Sequence, residues 1–372
     1  MGTSGERKKI LFIVQLPPPV HGASIMNNYV VNSSKIKSRF NAVVLNLQFL
    51  TSIQDITRFS VRKVFKAIFY GFELIWKIGS LKPDLIYFSF SPKGYSFYRD
   101  ALYVFLIKLF RRKLVLHLHG KGVKEGINGS TVKKNIYKKV FRNTNIICLS
   151  EKLVTDLAEV YDSNPIIIPN GIEDFKINDE LAKRGPNPKP RILCLSNYML
   201  EKGIMELITA LGLIKQQGYS FQASLVGAPV DLTAEDLKKE IGKRDLADCV
   251  EITGPLYGSD KVNVLNDADI FVLPSRNEAF PLVILEAMQS GLPVISTLEG
   301  GISDMVIDKQ TGFLAEKENP QLLADLMTLL LNDSMLRSEM GNKGQQRFKE
   351  NYTIEKFEER LIRALDTIIS GH

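Results

Sequence analysis

The feature that most constrains this chain is an alternation that occurs twice along its 372 residues: short runs of consecutive apolar residues separated by longer segments of helical period. The first run, Lys8-Lys-Ile-Leu-Phe-Ile-Val14, has a basic lead and is apolar at every position from Ile10 to Val14. A strand of that kind buries both faces, as strands do in a parallel sheet covered by helices on each side. Similar runs follow at 42–45, 85–88, 114–118, 146–149 and 165–168. The segment Lys183-Arg-Gly-Pro-Asn-Pro-Lys-Pro190 then places three prolines and a glycine in eight residues, which neither a helix nor a central strand tolerates. Beyond it the pattern restarts at 191–195, 222–226, 250–253, 270–273 and 293–296. The expectation is an α/β chain of two Rossmann-like doubly wound domains, 1–185 and 186–352, hinged at 183–190. Ligands of such sheets bind beyond the carboxyl ends of the strands, so the segments after those ends are where chemistry is sought.

Two domains also suit the length, because a single core rarely grows this large. The longest apolar stretch, 101–110, contains Lys108 and falls well short of the roughly 20 residues that span a bilayer. No apolar signal core precedes the first strand, so a cytoplasmic location is expected. Cys148, Cys194 and Cys249 lie far apart without C-x-x-C spacing and read as reduced, structural thiols. The net charge of +7 is unevenly spread. Residues 1–185 carry 29 Lys+Arg against 14 Asp+Glu, whereas 186–372 carry 19 against 27. Such a basic first half favours a polyanionic partner, either nucleic acid or anionic lipid headgroups.

The stretch richest in chemistry is Pro274-Ser-Arg-Asn-Glu-Ala-Phe-Pro-Leu-Val-Ile-Leu-Glu-Ala-Met288. A buried strand ends at Leu273, a polar loop holds Glu278, and Pro281 suits a first helical position because its missing N–H would be orphaned there. A helix is therefore expected from about Phe280. The free N–H groups of Leu282 and Val283 would point into the loop beside Glu278 and suit a phosphate. Glu286, in an otherwise apolar helix, needs a partner. A neighbouring lysine or a backbone group would satisfy it as well as a ligand.

Glu278 and Glu286, eight positions apart between a strand end and a proline-started helix, resemble the E-x7-E signature of retaining family 4 glycosyltransferases of the GT-B fold, the glycosyl transferases group 1. Gly291-Leu-Pro-Val-Ile-Ser-Thr297 and the pair Gly300-Gly301 fit the same pattern. The resemblance implies two Rossmann-like domains facing across a cleft, with the C-terminal helix, about 353–372, packing back on the first. It implies that Glu278 binds donor-sugar hydroxyls and Glu286 the ribose hydroxyls of the nucleotide. Ionised carboxylates suit both tasks as acceptor-only groups. Gly300 and Gly301 would let backbone approach the sugar and diphosphate. Leu195-Ser-Asn-Tyr-Met-Leu-Glu-Lys-Gly203 resembles the family's phosphate loop, where Lys202 would neutralise the diphosphate and stabilise the leaving group. The family often has Gly-Arg where this chain has Ser196-Asn197, and Arg276 replaces that cation only if its side chain turns inward.

In the first domain, Leu16-Pro-Pro-Pro-Val-His-Gly-Ala-Ser24 resembles the family's glycine-bearing loop, with Gly22 at the close approach and His21 either structural or catalytic. His117-Leu-His-Gly120 ends a strand with both imidazoles on one face. The motif selects His119 as the partner of the donor sugar near the reacting carbon. Pro169-Asn-Gly-Ile172 matches another family element, with Asn170 read as structural. The histidines, His21, His117, His119 and His372, have no carboxylate triad beside them, so neither a metal nor another cofactor is expected.

In 58–76, Phe65, Phe69, Phe72 and Trp76 fall on one helical stripe among cations. Periodicity allows a core-facing stripe or an interfacial helix pressed on anionic lipid, aided by Arg111-Arg-Lys113 and the cluster 133–142. The activity implied is transfer of a hexosyl unit, with retention, from a nucleotide diphosphate sugar, UDP favoured and GDP allowed, to a glycan or lipid-linked acceptor in surface polysaccharide biosynthesis. Peripheral contact with an anionic membrane would accompany it. A nucleotide-sugar 2-epimerase and a non-enzymatic nucleic-acid-binding protein are the alternatives.

Overall fold

The computed structural model describes residues 6–49, 61–174, 187 and 189–371. The chain divides into two compact units, Met1–Asn170 with Ile354–His372, and Gly171–Thr353. The hinge expected at 183–190 falls largely outside the described residues, and so do the start of the 58–76 segment and His372.

The first unit holds a parallel sheet in the order β2-β1-β3-β4-β5-β6. Its strands are β1 (Lys9–Val14), β2 (Asn41–Asn46), β3 (Leu85–Phe90), β4 (Lys113–Leu118), β5 (Asn145–Cys148) and β6 (Ile166–Ile167). Ile10 to Val14 are wholly excluded from solvent, as an unbroken apolar run requires between two helical layers. The connecting helices are α1 (Gly22–Asn32), α2 (Ser34–Arg39), α3 (Val61–Leu81), α4 (Gly94–Leu109), α5 (Val123–Ile127) and α6 (Thr131–Phe141). The terminal helix Ile354–Ser370 belongs to this unit and buries Phe357, Leu361, Leu365 and Ile368 along one stripe. Lys35–Glu358 and Arg39–Asp366 ion pairs tie it to α2.

The second unit repeats the plan in the order β12-β11-β10-β7-β8-β9. Here β7 is Arg191–Leu195, β8 Gln222–Val226, β9 Val250–Gly254, β10 Ile270–Leu273, β11 Val294–Thr297 and β12 Gly312–Ala315. The edge strand β12 has no counterpart in the sequence reading. It is four residues long, and it opens on Gly312 because a Cβ there would lie 1.9 Å from the Val294 carbonyl oxygen. In each unit the strand order reverses beside the first strand, between β1 and β3 and between β7 and β10, and at such switch points the loops diverge to leave a crevice.

Candidate functional site

In the second unit, loops from the carboxyl ends of β7, β10 and β11 meet at the switch point. The β7 loop turns through Gly203, whose φ is +71° and where a Cβ would sit 2.0 Å from the Pro274 carbonyl oxygen. Only glycine lets this loop close onto the β10 loop. The two are then laced together: Arg276 N–H donates to the Glu201 carbonyl at 2.8 Å, and Asn277 Nδ2 to the Glu201 carboxylate at 3.0 Å. This packing brings Lys202 Nζ against the Glu278 carboxylate and within 3.4 Å of the Asn277 carbonyl. A cation and an acid 76 residues apart thus form one pair, with side chains about one-fifth exposed.

The diglycine acts on the same loop. Gly300 has φ +51°, and a Cβ there would stand 2.1 Å from the Glu278 carbonyl oxygen, while Gly301 N–H donates to the Ala279 carbonyl at 2.7 Å. The sequence reading assigned both glycines to close approach of a ligand. The close approach in the structure is to the backbone that carries Glu278.

Glu286 lies on the helix Leu282–Gln289 with its side chain 13% exposed, and Lys261 Nζ donates to it at 2.6 Å from the helix Gly258–Asp267. Burial pushes the Glu286 carboxyl above its ordinary value, and the Lys261 ammonium opposes the shift. The expected need for a partner is met by a lysine that no spacing in the sequence linked to it. Pro281 is the N-cap of this helix, not its first residue, so the helix begins at Leu282 and not at Phe280. Its first intrahelical bond is Ile284 N–H to the Pro281 carbonyl, which leaves the N–H groups of Leu282 and Val283 ahead of the helical ladder.

Arg276 does not turn toward this pair. Its guanidinium is engaged by Glu206 and Glu318, acids that the sequence reading did not connect with it. The sequence let Arg276 replace the family's arginine only if its side chain turned inward, and in the structure both of its ion partners are carboxylates. Asn197 directs its side-chain oxygen to Ala228 N–H at 3.4 Å, beside Gly227, where a Cβ would meet the Ser196 carbonyl at 1.9 Å.

Among the described residues no three His, Cys, Asp or Glu side chains gather as a metal site. The Asp-x-Asp spacing at Asp267 and Asp269 lies at the amino end of β10, away from the loops described. There Asp267 pairs with Arg191, and Asp269 accepts from Arg191 N–H and Asn187. All three cysteines are buried, and burial pushes the Cys194 thiol up to about 12.

The switch point of the first unit holds a cavity of about 200 Å³, lined by residues after β1, β2, β3 and β4, among them His21, Asn27, Arg99 and His119. His117 is fully buried and shares a hydrogen bond at Nδ1 with the Tyr87 hydroxyl at 2.6 Å. The His119 ring lies 4.0 Å from it, centroid to centroid, and neither nitrogen of His119 has a hydrogen-bond partner among the described residues. Burial, reinforced by the neighbouring His21, pushes His119 down to about 3, so its imidazole is neutral. Of the two histidines, His117 is thus the packed one and His119 reaches the cavity. His21 is the N-cap of α1: its Nδ1 accepts from Ser24 N–H at 3.3 Å, and its own N–H donates to Ser24 Oγ at 3.0 Å. Gly22, the first residue of α1, has open space where a Cβ would be. Arg99 is held by the buried Asp100 at 2.7 Å and lies 4.3 Å over the Phe49 ring.

Residues 176–347, which contain Lys202, Glu278, Glu286 and the diglycine, match the family described as Glycosyl transferases group 1. The amylovoran biosynthesis glycosyltransferase AmsK of Erwinia amylovora is 36% identical over 43% of this chain and 40% of its own length. The capsular polysaccharide biosynthesis glycosyltransferase CapM of Staphylococcus aureus is 27% identical over 62% of this chain and 63% of its own. The chain thus spans less than two-thirds of either relative. Among solved structures, sucrose-phosphate synthase from Thermosynechococcus elongatus superposes with a TM-score of 0.78 at 19% identity, covering 98% of this chain and all of that one. Anabaena Alr3699/HepE in complex with UDP gives 0.72 at 20% identity over 96% of this chain and all of that one. These likenesses give the α/β fold with two parallel six-stranded sheets as that of GT-B glycosyltransferases, and residues 176–347, just under half of the chain, carry the match to the glycosyl transferases group 1 family.

Proposed function

We propose that this chain transfers a hexosyl unit, with retention of anomeric configuration and without a metal, from a UDP-sugar to a glycan or lipid-linked acceptor in surface polysaccharide biosynthesis. The observation that carries the reading is the Lys202–Glu278 pair at the β7/β10 switch point, on loops fixed by Gly203 and Gly300. A nucleotide sugar presents the complements of both groups. Its diphosphate takes the ammonium, and its sugar hydroxyls donate to the carboxylate. Lys202 and the N–H groups of Leu282 and Val283 meet the charge that builds on the departing diphosphate, the task a divalent ion performs elsewhere. Glu286 accepts from the ribose hydroxyls. His119, neutral and unpartnered, accepts from or donates to a sugar hydroxyl without adding charge beside the reacting carbon. The capsule and amylovoran roles in the names of CapM and AmsK support the class of product.

The test ranks nucleotide-sugar donors by thermal shift on the whole chain, in EDTA, and repeats the best with Glu286→Ala and with Arg276→Met as control. The shift is expected to collapse in the first variant and persist in the second. Full stabilisation of Glu286→Ala overturns the ribose assignment. Quantitative conversion of a UDP-sugar to its epimer with no acceptor present overturns transfer in favour of the 2-epimerase.

A further inference from the structure

Thirteen of the large apolar side chains that the described residues expose belong to two neighbouring helices, α3 and α4. On α3 the stripe singled out by periodicity faces outward: Phe65, Phe69, Phe72 and Trp76 are each 64–69% exposed, and Ile68 and Ile75 flank them. The same helix packs a second apolar face inward through Gly71, Leu74 and Ile78. Arg62, Lys66, Glu73 and Lys77 run along one edge between the two faces. A helix apolar on both faces is not made for a single core. On α4, Tyr95, Tyr98, Leu102, Phe105 and Leu109 recur at steps of three and four and are likewise exposed. The two stripes adjoin, because Tyr103 of α4 donates to the Ala67 carbonyl of α3 at 2.8 Å and its ring reaches Gly71. Scattered exposed apolar residues need no explanation, but a contiguous patch of this extent does.

Charge identifies what covers it. α6, which lies beside α4, adds Lys133, Lys134, Lys138 and Lys139 and no acid of its own, although Lys134 pairs with Glu159 at 2.7 Å. The only acid of α3, Glu73, is paired with Lys77, and the only acid of α4, Asp100, is fully buried. The patch is therefore apolar with a rim in which cations outnumber acids. A second copy seated on it would bring two such rims together. A nucleic acid would meet the cations but leave Ile68, Ile75, Leu102 and Leu109 without a complement. A bilayer rich in anionic headgroups satisfies both parts, taking aromatic and aliphatic side chains at the acyl boundary and lysine stems along the headgroups.

We infer that the α3/α4 face seats in the interface of an anionic lipid bilayer, with Phe65, Phe69, Phe72 and Trp76 as its inserted residues. The inference is read by binding alone, so its failure leaves the proposed transfer reaction untouched, and the reverse also holds. Trp76 is the chain's one tryptophan and therefore a reporter placed on the face itself. The whole chain is titrated with vesicles of phosphatidylcholine, with and without phosphatidylglycerol. Trp76 emission is expected to move to the blue and become shielded from acrylamide on the anionic vesicles. The change should be weaker on the neutral ones and should reverse as salt screens the lysines. Replacing Phe65, Phe69 and Phe72 together by Ser is expected to weaken vesicle binding by roughly a hundredfold. The melting temperature should hold, since all three side chains are already in water. Changing Lys133, Lys134, Lys138 and Lys139 to Gln should remove at least a tenfold preference for anionic lipid. Unchanged Trp76 emission at saturating anionic lipid overturns the inference, and so does equal vesicle binding by the triple Ser variant. A blue shift that follows protein concentration without lipid assigns the face to a second copy, and one produced by single-stranded RNA but not by vesicles assigns it to nucleic acid. Either overturns it.

Discussion

Breaking the Lys261–Glu286 pair from either side separates a structural carboxylate from a ligand-binding one. The pair is 2.6 Å long, with Glu286 13% and Lys261 27% exposed. Removing one partner of a fully buried pair costs about 3–5 kcal/mol, and the partial exposure of Lys261 places this one at about 2–3 kcal/mol. Lys261→Met leaves the carboxylate with neither cation nor water, so a unit of this size should lose roughly 5–10 °C in melting temperature. Glu286→Gln leaves an ammonium on a flexible stem that can turn outward, and about 1 kcal/mol is expected. The donor responds in the opposite order. Glu286→Gln removes a charged acceptor from the ribose hydroxyls and should weaken binding about 10- to 100-fold. Lys261→Met keeps the acceptor and should bind within roughly threefold of the parent at alkaline pH.

The pH dependence of this variant adds a further check. Glu286 already lies above its usual 4.5, because burial outweighs Lys261, and without Lys261 it rises further. The folded chain then holds this proton more tightly than the unfolded chain does. Stability is therefore lost as pH rises from about 4.5 through the raised value, and donor affinity falls as pH is lowered through that value. Calorimetric melting and donor titration across pH read both. If the two variants lower the melting temperature equally and Glu286→Gln binds donor as the parent does, Glu286 is only an ion partner and the reasoning fails.

Gly300→Ala should destabilise the second unit by about 3 kcal/mol and abolish measurable donor binding, since its Cβ meets the Glu278 carbonyl at 2.1 Å in a left-handed backbone. Gly22→Ala should change stability by less than about 0.5 kcal/mol, because its Cβ enters open space at a helix start, and equal losses in the two variants would contradict this account. His119 should show no protonation by nitrogen NMR between pH 8 and 5. The first unit should lose stability as pH falls below the ordinary histidine value of 6.5, where the unfolded ring gains a proton that the folded one refuses until about 3. A His119 resonance titrating near pH 6 would refute that. Lys202→Met should lower kcat more than it raises KM, because charge on the diphosphate grows toward the transition state, while Glu278→Gln should act mainly on KM; the reverse pattern in steady-state kinetics would overturn the division.

The sheets were legible in the sequence because buried parallel strands leave unbroken apolar runs, and β1 and β10 are each such a run. The edge strand β12 was not, since four residues opening on Gly312 carry too little pattern to stand apart from a turn. Glu278 and Glu286 stood out by their spacing and Lys202 by its place beside a glycine after a strand, and the structure pairs Lys202 with Glu278. Lys261 was missed for a physical reason: it sits on another helix, 25 residues from Glu286, and only tertiary packing pairs them. Arg276 shows the converse, because a cation within a motif says nothing of which acids will reach it, and Glu206 and Glu318 did. The aromatic stripe of α3 was visible while its direction was not. A period of 3.6 is the same whether the stripe faces a core or solvent, and what decided was that the buried face of the helix runs through Gly71, Leu74 and Ile78.

The uneven charge along the sequence now has a local explanation in each unit. In the second, the cations of the site are few and each is matched: Lys202 by Glu278, Lys261 by Glu286 and Arg276 by Glu206 and Glu318. Matched pairs of this kind hold the loops in register. In the first unit, the buried charges around the cavity are likewise closed, Arg99 by Asp100, while both strand-end histidines are held neutral by burial. The surplus of positive charge is thus kept out of the cavity and displayed on α3 and α6, where it flanks the exposed aromatic face. A basic half used to bind substrate would place its cations at the β1/β3 switch point. This one places them along the rim of an apolar surface, which is the distribution that contact with an anionic bilayer requires and that diphosphate binding does not.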